Sequence, residues 1–189
     1  MSEVIAPTAD ELQHAALREN WVSFLQRFPF RWFCTMTFRQ KISPQEVERL
    51  KEKGILQTSR SYCVHPERAD KLWRIWCSKL NRSIYGPHWH RHADRGVYWC
   101  RALEWHRSNV PHYHALVGAS VDMDRLARRL SWMDEWYALA GIARIWPIED
   151  DELVRRYVSK YVTKGGSIDL SPSLIHFWRA RELSRTQPC

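Results

Sequence analysis

The chain has 189 residues, of which 44% are hydrophobic and 26% charged, with 7 Gly and 9 Pro; this is ordinary globular usage, sized for one domain with a sizeable core, and it excludes wholesale disorder and collagen-like repeats. Lys and Arg number 29 against 21 acids, a net charge of +8, which favours a polyanionic partner such as nucleic acid or an anionic membrane surface. No apolar run approaches the roughly 18 residues that span a bilayer, and Met1-Ser2-Glu3-Val4 lacks the basic and apolar parts of a secretory signal, so the expectation is a cytoplasmic protein with no membrane partner.

Eleven tryptophans exceed what a core of this size needs. About two-thirds are expected to be buried or half-buried, and the rest, interleaved with Arg, suit stacking on unpaired bases. The five cysteines, Cys34, Cys63, Cys77, Cys100 and Cys189, are odd in number and show no Cys-x-x-Cys spacing. That argues against a disulfide framework or a zinc knuckle and for reduced, mostly buried thiols.

In chain order, Thr8-Ala9-Asp10-Glu11 has the form of a capping box, and the apolar spacing after it predicts a helix over 9–26 that Pro29 ends. From Phe30 to Phe38 the even-numbered residues are apolar while Arg31, Phe33, Thr35 and Thr37 take the other side, which predicts a strand. Ser43-Pro44-Gln45-Glu46 opens a short helix that Gly54 closes. Leu72, Trp73, Trp76 and Leu80 recur at helical spacing and predict an amphipathic helix over 66–84. After a turn-rich segment, 97–105 reads as a strand, 107–111 as a hairpin loop, and 112–117 as the returning strand. Asp122 caps a predicted helix over 123–139, and 141–148 is a further strand whose Pro147 places it at an edge. Acidic residues 149–152 open a helix to Lys164, Gly165-Gly166 follows, and a last helix is expected over 174–183. Hairpin strands interleaved with helices predict an α+β fold built on an antiparallel sheet. Residues 1–29 belong to the same domain as a core over 30–166, and 167–189 reads as a helical extension.

Three clusters could carry chemistry. Side chains two apart on a strand share a face, so His112 and His114 point the same way, and a hairpin over 107–111 returns Glu104 beside them. Two imidazoles and a carboxylate with open positions suit a divalent ion, Mn²⁺ or Mg²⁺. The bland alternative is a solvent-facing His-x-His. His106 shares the face of Glu104 and could be a fourth ligand or an orienting group. A competing set, His88, His90 and His92, has no apolar strand after it and reads as a basic loop able to touch DNA. On the helix after residue 150, Tyr157 and Tyr161 lie about 40° apart with Lys160 and Lys164 on the same side, while Val154, Val158 and Val162 form a separate packing stripe. The core does not need these tyrosines on this reading. Two phenols beside two ammoniums fit a tyrosine oxygen attacking a phosphodiester while lysine neutralises the phosphoryl oxygens; plain amphipathic cover of a surface helix is the alternative.

Phe33-Cys34-Thr35-Met36-Thr37-Phe38, then Pro111-His112-Tyr113-His114, then Tyr157-Val158-Ser159-Lys160-Tyr161-Val162-Thr163-Lys164 resemble, in order, the three motifs of HUH endonucleases, and the match is closest to rolling-circle replication initiators of small phages and plasmids. Glu104, eight residues before His112, matches the spacing of the third metal ligand in several viral initiators. Met36 and Tyr113 depart from the usual pattern without removing a functional group. The resemblance covers roughly residues 30–166. It implies about five antiparallel strands, the His pair on a central strand and the tyrosine helix across it. It also implies a divalent ion held by Glu104, His112 and His114. The expected activity is nicking and rejoining of single-stranded or hairpin origin DNA through a 5′-phosphotyrosine, with Tyr157 and Tyr161 unranked as nucleophiles and Lys160 and Lys164 assisting. Thr35 and Thr37, on the more polar strand face, would support the site or DNA rather than do chemistry. No Gly-x-x-x-x-Gly-Lys-Ser/Thr motif is present, so a host helicase and polymerase are expected partners. An HUH transposase or mobilisation relaxase would share the chemistry; a non-catalytic, basic DNA-binding regulator would not.

Overall fold

A computed structural model of the chain describes residues 9–39, 44–53, 64–92, 95–105, 111–157, 160–161 and 167–186. Helix α1 (Ala9–Leu25) leads into strand β1 (Trp32–Thr37), followed by α2 (Pro44–Glu52) and α3 (Pro66–Tyr85). Strands β2 (Tyr98–Trp105) and β3 (Pro111–Gly118) come next, then α4 (Met123–Leu126), α5 (Arg129–Leu139), β4 (Ala143–Pro147), α6 (Asp151–Tyr157), β5 (Ser167–Leu170) and α7 (Pro172–Thr186). The strands form one five-stranded sheet in the order β4-β1-β3-β2-β5, and every neighbouring pair is antiparallel. The α+β architecture expected from the sequence is the one observed, with the His-bearing β3 at its centre.

Period-two alternation sorts the strand side chains onto two faces. One face of β1 carries Trp32, Cys34 and Met36, all fully buried, against Trp73, Trp76 and Leu80 of α3 and Trp132 and Trp136 of α5. Trp73 and Trp76 stack at 5.4 Å. The indole N–H groups find acceptors, Trp76 on the Trp132 carbonyl at 3.1 Å and Trp136 on the Thr37 carbonyl at 2.9 Å, as buried indoles must to avoid an unpaired donor. On the other face Cys100, Ala102 and Leu116 pack against Val22 and Leu25 of α1, Val154 and Tyr157 of α6, and Leu174 of α7. Trp105, Trp146 and Trp178 are the exposed tryptophans; the other eight are core or half-buried. Cys34, Cys77 and Cys100 are buried free thiols, while Cys63 and Cys189 lie outside the described residues.

Two segments differ from the sequence reading. The helix expected over 123–139 is broken: Ala127 is extended, and the chain restarts as α5, which brings Trp132 and Trp136 under the sheet. Residues 167–189 are not only a helical extension, because Ser167–Leu170 pairs with Leu103–Cys100 of β2 as the fifth strand, and α7 behind it places Leu174 in the core. Gly141 permits the tight approach of the β4 lead-in to β1: a Cβ there would collide with the Thr37 carbonyl oxygen and the Phe38 main chain. Among the described residues, no helix is long and apolar enough to cross a membrane.

Candidate metal and tyrosine site

Antiparallel register assembles the cluster predicted from the hairpin. Glu104 of β2 lies opposite His112 of β3, whose other neighbour is Thr37, and His114 lies between Ala102 and Thr35. All these residues share the sheet face that α1, α6 and α7 cover in part. Glu104 Oε2 sits 3.2 Å from His112 Nε2 and 3.0 Å from His114 Nε2, and the three potential ligand atoms lie within 4.8 Å of one another. Among the described residues this is the only such cluster; His88, His90 and His92 sit exposed around a short 3₁₀ turn. His106 lies outside the described residues.

The donor set could hold a metal ion. His114 Nε2 is buried and, despite its closeness to Glu104, lies off the hydrogen-bonding direction and has no hydrogen-bond partner among the described residues. An orphaned imidazole nitrogen is costly unless something else, such as a cation, accepts its lone pair. Burial, reinforced by the charge of His112, pushes the His114 pKa down to about 4, so the ring is neutral, the ligating form, at neutral pH. Its Nδ1 lies 3.2 Å from Thr35 Oγ1; in the ligating tautomer Nδ1–H donates to that hydroxyl, which fixes the ring. Phe33 stacks against the same imidazole at 6.1 Å and 14°. Glu104 feels burial in the opposite sense, but the Lys160 charge, the two neighbouring imidazoles and the His112 hydrogen bond outweigh it and hold the carboxyl below its ordinary range.

The two tyrosines part company. Tyr161 stacks on the His114 ring at 4.3 Å and 18°. Lys160 Nζ lies over the Tyr161 ring, 4.7 Å from its centroid, and also reaches Glu104 Oε2 at 3.7 Å. Burial raises the Tyr161 pKa, and the adjacent Lys160 ammonium only partly offsets it. Lys160 itself titrates above its ordinary value, first through the neighbouring Tyr161 phenol and then through Glu104, so it is an ammonium at neutral pH. Tyr157 lies deeper, 1% exposed against 7% for Tyr161. Its hydroxyl donates to the carbonyls of Cys100 and His114 at 3.2 and 3.3 Å, and the Cys100 thiol donates to it. The expectation that the core does not need these tyrosines is corrected for both, since Tyr157 and Tyr161 belong to one buried cluster; the small side chains of Cys100 and Ala102 leave room on the sheet that the Tyr157 ring fills. Lys164, Val158 and Val162 lie outside the described residues.

Thr35 and Phe33 complete the setting of His114. Thr35 was legible on the more polar side of the strand, with Arg31 and Thr37, whereas Phe33 carried no such signal. Thr37 instead exchanges hydrogen bonds with the Ile142 main chain. Comparison of the chain with protein-family models, with curated proteins and with solved structures finds no match.

Proposed function

We propose that the chain is a metal-dependent nickase of single-stranded DNA that acts through a tyrosine nucleophile and initiates rolling-circle replication. The observation that carries this reading is the stacking of Tyr161 on a histidine of the Glu104–His112–His114 cluster, with Lys160 over the Tyr161 ring and 3.7 Å from the Glu104 carboxylate. Glu104, His112 and His114 would hold the divalent ion, Mn²⁺ or Mg²⁺, which when bound polarises the scissile phosphate and stabilises the charge that builds on its oxygens. Tyr161 Oη attacks phosphorus in line. An Oη–P bond forms, the P–O3′ bond breaks, and the strand is left with a free 3′-hydroxyl and a 5′-phosphate on the tyrosine.

Lys160, held protonated, cannot take the phenol proton, which passes to solvent water while water returns one proton to the departing O3′; the Lys160 charge favours the phenolate and then the phosphoryl oxygens. Thr35 and Phe33 hold the His114 ring. Tyr157 supports β2 and β3 from beneath and does not reach the reacting atoms, so on this reading one tyrosine per chain is poised to attack. Rejoining then proceeds by return of the 3′-hydroxyl or with a second copy of the chain. The net charge of +8 suits single-stranded or hairpin origin DNA as substrate, with host helicase and polymerase following the nick.

The test is a denaturing gel of the full chain with a random pool of single-stranded oligonucleotides and Mn²⁺. A covalent adduct that chelator prevents, and a cleaved product that a polymerase extends from its 3′ end, are expected. A chain that binds the pool without forming an adduct would instead be a DNA-binding regulator.

A further inference from the structure

The edge strand β4 shows a pattern that the metal and tyrosine chemistry does not use. Ala143 and Ile145 are buried, while Ile142, Arg144 and Trp146 are exposed, Ile142 to 59% and Trp146 to 57%. Register fixes which face they occupy. Trp146 pairs with Phe33 and Arg144 with Thr35, and Thr35 in turn pairs with His114. Arg144, Thr35 and His114 therefore form one transverse row on the site face, and Trp146 begins the next row beside the phenylalanine that stacks on His114. Two strand spacings, about 10 Å, separate the Arg144 and His114 positions along that row. Among the described residues, Arg144 has no carboxylate partner.

We infer that this outer row is where the single strand beside the scissile phosphate lies, with Trp146 stacking one base and Arg144 pairing with one phosphate. Three features favour a nucleic acid strand over a protein segment. The row alternates a cation with an aromatic face, the combination that tracks a sugar-phosphate backbone and its bases. It is continuous with the metal cluster through Thr35 and Phe33. It lies within the reach of a few nucleotides from Tyr161. The inference rests on the nickase reading for its register with the scissile phosphate, but binding of the strand can be measured without cleavage.

The experiment titrates the full chain, without added metal, into a fluorescein-labelled oligothymidylate of about twenty nucleotides, a length that spans typical single-strand site sizes. Trp146→Ala is expected to weaken binding roughly five- to a hundredfold, the range seen for loss of one base–aromatic stack, and Trp146→Phe to restore most of it. Arg144→Gln is expected to lower the slope of log affinity against log salt by about 0.7, the loss of one phosphate contact on a single strand. Tyr137→Ala, which removes an exposed aromatic from the opposite layer, should bind as wild type, and unchanged Mn²⁺ affinity in every variant shows that the sheet is intact. Trp146→Ala and Arg144→Gln proteins that bind within twofold of wild type, with an unchanged salt slope, overturn the inference even where wild type forms the covalent adduct. Weakened binding in a chain that forms no adduct upholds the surface and removes the nickase reading instead.

Discussion

Tyr161 and Tyr157 both touch His114, but on different atoms. Tyr161 lays its ring on the imidazole at 4.3 Å, whereas Tyr157 donates its hydroxyl to the His114 main-chain carbonyl at 3.3 Å. The first contact leaves a phenol beside the metal cluster; the second uses a phenol as a strut between β2 and β3. The two positions should therefore separate on substitution. Tyr161→Phe is expected to abolish the covalent DNA adduct and leave the thermal midpoint close to wild type. Tyr157→Phe is expected to form adduct and to lose about 1 kcal/mol of stability with the buried hydroxyl. Adduct gels and urea unfolding of the two proteins decide it, and an adduct that survives Tyr161→Phe but not Tyr157→Phe reverses the assignment.

Metal binding to the folded chain alone stabilises it by mass action. With Mn²⁺ at about a hundredfold above its dissociation constant the gain is about 2.7 kcal/mol, roughly 5–10 °C in Tm for a domain of this size. Glu104→Gln and His112→Asn should each lose most of this gain, because each removes one of the three converging ligand atoms. Differential scanning calorimetry with and without Mn²⁺ reads the effect directly. A Tm that rises equally in wild type and in both variants places the ion elsewhere.

These contrasts show what local pattern carries. The alternation in β1 and the His-x-His of β3 were legible because period two fixes which side chains share a face, and the hairpin then determined that Glu104 would meet His112. Depth was not legible. On an ideal helix Tyr157 and Tyr161 lie on nearly the same side, and what distinguishes them is the small Cys100 and Ala102 side chains on a different strand. β5 was missed for a similar reason: Ser167–Leu170 is four residues long, too short to show alternation, and it is a strand because β2 offers an edge for it. The break at Ala127 likewise answers a tertiary demand, the seating of Trp132 and Trp136, and leaves no mark on the apolar spacing.

Thr35 touches neither the carboxylate nor a tyrosine in the described contacts, yet it is the partner of His114 Nδ1 at 3.2 Å. A ligand imidazole whose second nitrogen loses its partner can rotate or change tautomer. Thr35→Val, which keeps the shape and removes the hydroxyl, is expected to weaken Mn²⁺ binding about 10- to 100-fold, and Thr35→Ser to restore it. Isothermal titration with Mn²⁺ compares the three. Equal affinity in Thr35→Val and wild type would make the hydroxyl a bystander.

On the far face of the sheet Arg101, 6% exposed, is held by Asp70 at 2.7 Å and Asp169 at 2.8 Å and lies over the ring of Tyr113 at 4.2 Å. Burial alone would raise the Asp70 pKa, but hydrogen bonds from Arg74 and Arg101 and their charges outweigh it and bring it below its ordinary 3.8. A carboxylate whose folded pKa is depressed binds fewer protons than in the unfolded chain. It therefore contributes stability above pH 3.8 that is lost as pH falls through the lower folded value. Asp70→Asn should cost about 1.5–3 kcal/mol at pH 7, the range for a hydrogen bond to a charged group, with Asp169 left to compensate Arg101. The difference between wild type and variant should shrink as the pH is taken from 5 down to about 2. Urea midpoints across that range measure it, and a difference that stays constant with pH would show that the Asp70 carboxylate is not held ionised by Arg101 and Arg74.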